Sequence, residues 1–384
     1  VTTRDLDLPD PSAPGPRVGF NPVAVMLVCV AALCTLGLIA VFSATAYKSS
    51  AFFWKQVLGL GLGVGAAWAV ARLDLEFCRR HVWLIAAGVL GLLLLVAIPG
   101  IGKSVNGSRR WLNLGFAGFQ VSELAKIGVV FVLAHYLALN QSMMADLKRG
   151  FILPLAIIGC LAGPIMLQPD FGTTALVGAV GVTLLFLAGA RWLYIATSVA
   201  GMSALFAVAI ALNPNRLTRL TAFLDVEGNK QAGTYQVYQS FLGFAAGGVT
   251  GAGLGQGRQQ VYFLPEAHTD FIFAVVGEEL GLVVTLATVL TFLLFFVCGV
   301  LHLRRAPNQF QFLLVAGALL IVALQAIVNL GVVVGRLPTK GMSLPFVSAG
   351  MSNLVLMGII VGLLINTSRA WLRDDVLPGS RDFH

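Results

Sequence analysis

Residues 271–302 read FIFAVVGEELGLVVTLATVLTFLLFFVCGVLH, and from Leu282 to Leu301 the run holds no charged residue. An α-helix needs roughly 20 such residues to cross the hydrocarbon core of a bilayer. Comparable runs recur along the chain, and spans are expected near residues 22–45, 52–71, 81–99, 120–139, 151–168, 171–189, 192–212, 271–302, 309–335 and 345–367. The composition agrees. Of 384 residues, 58% are apolar and 11% charged, and the mean hydropathy is +0.87, whereas a soluble domain carries about 25% charged residues. This excludes a soluble protein, a disordered chain and a secreted module held by disulfides. Continuous apolar runs also argue against outer-membrane barrel strands, which alternate apolar and polar residues. The sequence predicts an all-α polytopic membrane protein with ten transmembrane helices.

Basic residues orient these spans. With ten crossings, Arg17; Arg72, Arg79 and Arg80; Lys148 and Arg149; Arg191; Arg304 and Arg305; and Arg369 and Arg373 fall on one face, which the positive-inside rule makes cytoplasmic. Both termini are then expected inside. Residues 1–21 form a polar tail containing Pro9, Pro11, Pro14 and Pro16; residues 22–369 form the membrane domain, and residues 370–384 a second tail. The first apolar run is too long for a signal-peptide core and is expected to stay as an anchor. Residues 213–270 make a long extracytoplasmic loop between helices 7 and 8, with apolar residues at helical intervals from Thr234 to Phe244, so a partly structured cap is expected. The net charge of +8 reflects these loop ends, and no nucleic-acid partner is expected. Five scattered cysteines lack the spacing of a disulfide framework or a zinc site and are expected to be packing residues.

Several basic residues fall on the outer face against the rule: Lys103, Arg109 and Arg110 after the third span, Arg216 and Arg219 after the seventh, Arg336 and Lys340 after the ninth. They suit either an anion-binding patch or pairing with lipid headgroups. Gly102, Lys103 and Ser104 resemble the end of a P-loop, but Ala97 stands where that motif needs glycine. The glycines 59, 61, 63 and 65 suit close helix packing. Those at 251, 253, 255 and 257 suit either a hinge or the approach of a large substrate to the backbone.

Charges within or at the lip of a span are costly and invite a functional reading. Glu123 and Lys126, three residues apart, can pair on one helix face or serve a substrate. Glu278 and Glu279 lie two turns into the eighth span, and Asp170 is read as an N-cap more than a catalytic group. Asp270 begins that eighth span, where water meets lipid. A partly desolvated carboxylate there suits a general base, and equally a helix N-cap.

The runs Gly107-Ser108-Arg109-Arg110-Trp111, Ser122-Glu123-Leu124-Ala125-Lys126, Gln168-Pro169-Asp170-Phe171-Gly172-Thr173, Leu264 to Phe273 followed by Gly277-Glu278-Glu279-Leu280-Gly281, and Leu337-Pro338-Thr339-Lys340-Gly341 together resemble the SEDS family (shape, elongation, division and sporulation). The Thr339-Lys340-Gly341 form is similar to its cell-division branch more than to its elongation branch. The resemblance implies a peptidoglycan glycosyltransferase that polymerises lipid II at the outer face of the inner membrane during septal cell-wall synthesis. The implied partners are a class B penicillin-binding protein (an FtsI-like transpeptidase), other division proteins and membrane lipid. Asp270 matches the family's essential aspartate. Arg109, Arg110, Arg216, Arg336 and Lys340, with His268 and Ser348, are the candidates for the diphosphate and sugars, and Glu123, Lys126 and Glu278 for cavity support. No protein metal site is implied; a divalent cation, Mg or Mn, is allowed on the diphosphate. The rival readings are a lipid II flippase and a non-catalytic division scaffold.

Overall fold

The structure, a computed structural model, describes residues 20–47, 49–105, 108–113, 118–224, 228, 234–264 and 267–376. The two polar tails lie largely outside these residues, as do Gly107, Pro265 and Glu266 of the motifs. In chain order the elements are α1 (Pro22–Thr45), α2 (Ser50–Val70), α3 (Leu75–Arg80), α4 (Val82–Ala97), β1 (Gly102–Val105), β2 (Ser108–Asn113), β3 (Gly118–Gln120), α5 (Val121–Leu139), α6 (Leu153–Leu167), α7 (Phe171–Leu187), α8 (Trp192–Ala211), α9 (Pro214–Leu224), α10 (Tyr235–Gly247), α11 (Gln259–Tyr262), α12 (Ile272–Leu303), α13 (Gln309–Val333) and α14 (Met351–Val376). Each expected apolar run falls on a helix. Among the described residues, seven stretches are long and apolar enough to cross a membrane: α1, α5, Lys148–Leu167, α8, α12, α13 and the α14 stretch to Trp371. The apolar helices α4 and α7 are shorter.

Local chemistry sets the helix starts. Asn21 caps α1 by accepting from the Val23 amide, with Pro22 in the first turn. Asn308 caps α13 through the Gln311 amide, and Asp170 caps α7 through the Thr173 amide. Helix α5 is interior, packing against α4, α6, α7 and α13. Leu133 and Leu137 of α5, Leu184 of α7 and Leu314 of α13 lie in one buried apolar cluster.

Glycines bring α2 and α14 together. A Cβ at Gly358 would lie 2.1 Å from the Gly63 carbonyl oxygen, and one at Gly63 would lie 2.8 Å from the Leu354 carbonyl oxygen. Gly59 and Gly63, four apart, share the packed face, while Gly61 and Gly65 meet nothing within 4 Å. The expectation of close packing therefore holds for alternate members of that run.

Four features differ from the sequence expectation. The connection before α5 folds as an antiparallel sheet in the order β1-β2-β3, pairing Lys103 with Trp111 and Trp111 with Gln120. A short helix, α3, capped by Asp74, precedes α4. The last expected span becomes helical only at Met351, the start of α14, because residues 345–350 form a turn in which the Ser348 hydroxyl accepts the Leu344 amide at 2.8 Å. The eighth span is also interrupted: Gly281 adopts φ 74°, ψ −173°, a conformation open essentially to glycine alone.

That interruption leaves helix-end groups without intrahelical partners. The loop after α10 supplies them. The Ala252 and Gly253 amides donate to the Glu278 and Glu279 carbonyls at 2.9 and 3.0 Å, and the Leu282 and Val283 amides donate to the Gly248 and Val249 carbonyls at 3.0 and 3.4 Å. Irregular backbone inside a membrane protein is tolerated where protein satisfies it in this way. Residues 213–270 are partly structured as expected, holding α9, α10 and α11.

Candidate active site

Asp270 sits half-buried just before α12, on a segment fastened to the turn ahead of α14. The Ser348 hydroxyl donates to the Thr269 carbonyl at 2.6 Å, and the Ala349 amide donates to the His268 carbonyl at 2.9 Å. From α13, the Asn329 side-chain amide donates to the Asp270 carbonyl at 2.8 Å and to the Met342 carbonyl at 2.6 Å. The Asp270 carboxylate lies against Gly341: a Cβ there would be 2.7 Å from Asp270 Oδ2. Glycine at 341 is thus what lets the carboxylate occupy this position.

One residue earlier, Lys340 runs along Gly172 at the start of α7, where a Cβ would meet its Cε at 3.1 Å. Burial pushes the Lys340 ammonium below the usual lysine value, the Asp170 carboxylate opposes that shift, and Arg216 adds to it. Arg216 of α9 stacks its guanidinium 3.4 Å from the Phe171 ring centroid and donates to the Ala209 carbonyl at 2.9 Å. Residues 340–342 therefore link a carboxylate on one flank to a group of cations on the other.

Asp170 gathers that second flank. Its Oδ2 accepts from Arg110 at 3.1 Å, Thr173 Oγ1 at 3.0 Å, Gln120 Nε2 at 3.2 Å and Ser122 Oγ at 3.4 Å, while Oδ1 caps α7. The capping expectation was correct for one oxygen and missed the other. The Asp170 side chain is 8% exposed against 28% for Arg110. A pair so placed loses much of its hydration, and the several hydrogen bonds to the carboxylate offset that cost.

An apolar trough of about 280 Å³ opens beside these cations, between α7 (Gly172, Ala175, Leu176, Ala179) and α13 (Leu324, Val328). Leu337, Pro338, Lys340 and Met342 complete its lining. That mostly apolar lining suits a hydrocarbon chain whose anionic end meets Lys340.

Other candidates lie elsewhere. Arg109 precedes Arg110 on β2, where the register with β1 is irregular and leaves Arg110 without a partner residue on β1, and Arg109 is exposed. Arg336 is exposed as well. Ser348 is buried, with its hydroxyl committed to backbone, so it braces the Asp270 segment. His268 is buried with its ring edge-on to Phe52, centroids 4.8 Å apart. Glu123 and Lys126 form a buried ion pair at 2.7 Å, so of the two readings left open the mutual pairing is what the geometry displays.

Glu278 does not face Asp270. It accepts from the Arg258 amide at 2.7 Å and the Gln259 amide at 3.1 Å, ahead of α11. Glu279 accepts from Ser43 Oγ at 2.7 Å, the Gly255 amide at 3.0 Å and Gln260 Nε2 at 2.5 Å. The glycine run at 251–257 therefore wraps a carboxylate of its own chain. No group of three or more His, Cys, Asp or Glu side chains among the described residues could hold a metal ion. Sequence reading missed Gln120, Ser122, Asn329 and the second role of Asp170, since uncharged side chains announce no chemistry until the fold aims them.

A family model described as cell cycle protein, named for FtsW, RodA and SpoVE, matches residues 24–371. The probable peptidoglycan glycosyltransferase FtsW of Coxiella burnetii is 39% identical over 360 residues, covering 91% of this chain and 96% of that protein. Stage V sporulation protein E of Bacillus subtilis is 35% identical over 357 residues, covering 91% and 97%. A chain of a peptidoglycan synthase complex, described for its structural coordination of polymerization and crosslinking, superposes with a TM-score of 0.77 at 26% identity, covering 91% of this chain and 98% of that one. The rod shape determining protein RodA of Thermus thermophilus superposes with a TM-score of 0.68 at 26% identity, covering 90% and 95%.

Proposed function

The chain belongs to the cell cycle protein family of FtsW, RodA and SpoVE, and we propose on that premise that it is a division-type peptidoglycan glycosyltransferase polymerising lipid II at the outer face of the bacterial inner membrane. The observation that carries this reading is the short segment 340–342, which has the Asp270 carboxylate against Gly341 and the Lys340 side chain reaching the trough near Asp170 and Arg216. In the reaction the acceptor hydroxyl oxygen bonds to the anomeric carbon of the donor sugar. The bond from that carbon to the diphosphate oxygen breaks, and the hydroxyl proton passes to Asp270. Lys340, Arg110 and Arg216 stabilise the charge that collects on the departing diphosphate, and the trough takes part of its polyprenyl chain.

The product strand needs crosslinking, and a class B penicillin-binding protein is the partner that fits. The solved relative in a peptidoglycan synthase complex supports that pairing. A flippase would use charges that are free to rearrange within the membrane, and the closed Glu123–Lys126 pair favours the polymerase instead.

The test is lipid II polymerisation by the purified chain with its cognate transpeptidase, wild type against Asp270→Asn. Glycan strands from wild type and a rate at least about 100-fold lower from the variant are expected for loss of a general base. Equal rates would remove Asp270 from that role, and no strands from either would favour the flippase or scaffold.

A further inference from the structure

The residue that joins most elements at this site is Asp170. Its one oxygen, Oδ2, draws Arg110 from β2, Gln120 from the end of β3, Ser122 from the first turn of α5 and Thr173 from α7. Through space it also meets Lys340. An arginine offers five N–H donors in a fixed fork, yet Arg110 Nε is buried with no hydrogen-bond partner among the described residues. The guanidinium is fixed in place and only partly satisfied, which is the condition of a group prepared for a further acceptor. A phosphate oxygen matches it in charge and geometry.

We propose that Asp170 is a positioning residue for the diphosphate of a polyprenyl-linked substrate: its carboxylate stands in for a phosphate oxygen, holding Arg110 in place beside Lys340 and the trough, and it yields Arg110 to the incoming diphosphate. The inference rests on the glycosyltransferase reading for the identity of the ligand, and adds how the cations are kept ready for it. No bond is made or broken at Asp170. Its effect passes through the two cations.

The charged groups around Lys340 fix the sign of the test. Asp170 approaches from α7, Arg216 from α9 and Arg110 from β2 by way of Asp170, while Asp270 lies against the neighbouring Gly341. Removing the Asp170 carboxylate takes away an influence that holds the Lys340 ammonium in its charged form, leaving burial and Arg216 to disfavour it. Lys340 then loses its proton at lower pH, and anion binding should fail at lower pH. Removing Arg110 has the opposite sign, because the carboxylate then serves Lys340 with one less cation competing.

The experiment measures binding of undecaprenyl diphosphate to the full chain in phosphatidylcholine nanodiscs across the neutral to alkaline range, with helical content and melting recorded for each variant. For Asp170→Asn the alkaline loss of binding is expected to move toward neutral. Arg110→Gln should weaken binding at neutral pH and move the loss the other way. Lys340→Arg, whose guanidinium stays charged, should erase the alkaline loss with Asp170 intact or replaced. A folded Asp170→Asn chain whose alkaline loss does not move overturns the inference, as does a wild-type chain that binds no diphosphate. Should Asp170→Asn fail to fold, Arg110→Gln decides alone: a shift toward neutral, or none, overturns it. Because binding needs no turnover, the expected shifts in a chain that makes no glycan would refute the polymerase reading and spare the inference. A chain that polymerises lipid II without the shifts would do the reverse.

Discussion

At the scale of single residues, the site depends on side chains that are missing as much as on those present. Gly341 is the sharpest instance, since a methyl group there would lie 2.7 Å from Asp270 Oδ2, inside the contact distance of carbon and oxygen. Gly341→Ala should push the carboxylate from its place without disturbing its chemistry. A displacement near 1 Å is enough to cost on the order of 100-fold in rate, so a fall of about 10- to 100-fold in lipid II polymerisation is expected, with helical content retained. A rate equal to wild type would mean that Asp270 works from another position. Asn329 acts on the same segment by tying the Asp270 and Met342 carbonyls together. Neither residue carries a charge, and neither stands out in a sequence read for ionisable groups.

At the scale of elements, glycine spacing controls which helices touch. Gly63 and Gly61 lie two residues apart on α2, yet a Cβ at the first would press on the Leu354 carbonyl at 2.8 Å and one at the second would meet nothing within 4 Å. Gly61→Ala should therefore stabilise the protein slightly, by about 0.5–1 kcal/mol of helix propensity. Gly63→Ala should lower the melting temperature, because α2 and α14 must separate or shift. Melting of the two variants in the same detergent checks the contrast, and equal responses would contradict the close approach. The break in α12 shows the same economy of contacts. Gly281 turns the chain, and the amides and carbonyls of residues 248–253 satisfy the groups the turn releases. The side chains of Glu278 and Glu279 fasten the following loop and, through Ser43, α1. Two acidic residues in an apolar run thus hold a fold together, where the sequence invited a functional reading and placed Glu278 in support of the cavity.

For the molecule as a whole, the test is orientation. The alternation of basic clusters requires Lys103, exposed on β1, to lie outside the membrane and Ser142, exposed in the turn after α5, to lie inside. With the native cysteines replaced, a cysteine at position 103 should react with a membrane-impermeant thiol reagent in intact cells, and one at position 142 only after the membrane is opened. Labelling of both, or the reverse pattern, would refute the ten-span topology.

The sequence by itself determined the class of this protein, because membrane helices are specified by long apolar runs that need no tertiary partner to be recognised. Each expected run falls on a helix, and the motifs around Asp170, Asp270 and Lys340 identified the family. The tertiary structure alone decided which charges share a site. Arg109 and Arg110 are neighbours in sequence with equal claims, and only Arg110, at the irregular step of β2, pairs with Asp170. Glu278 lies close to Asp270 in sequence and faces away from it, toward the backbone at 258–259. Such choices depend on where separate helices meet. A charge in a sequence carries its sign and its approximate depth, whereas its partner is fixed only when packing brings distant segments within hydrogen-bond reach.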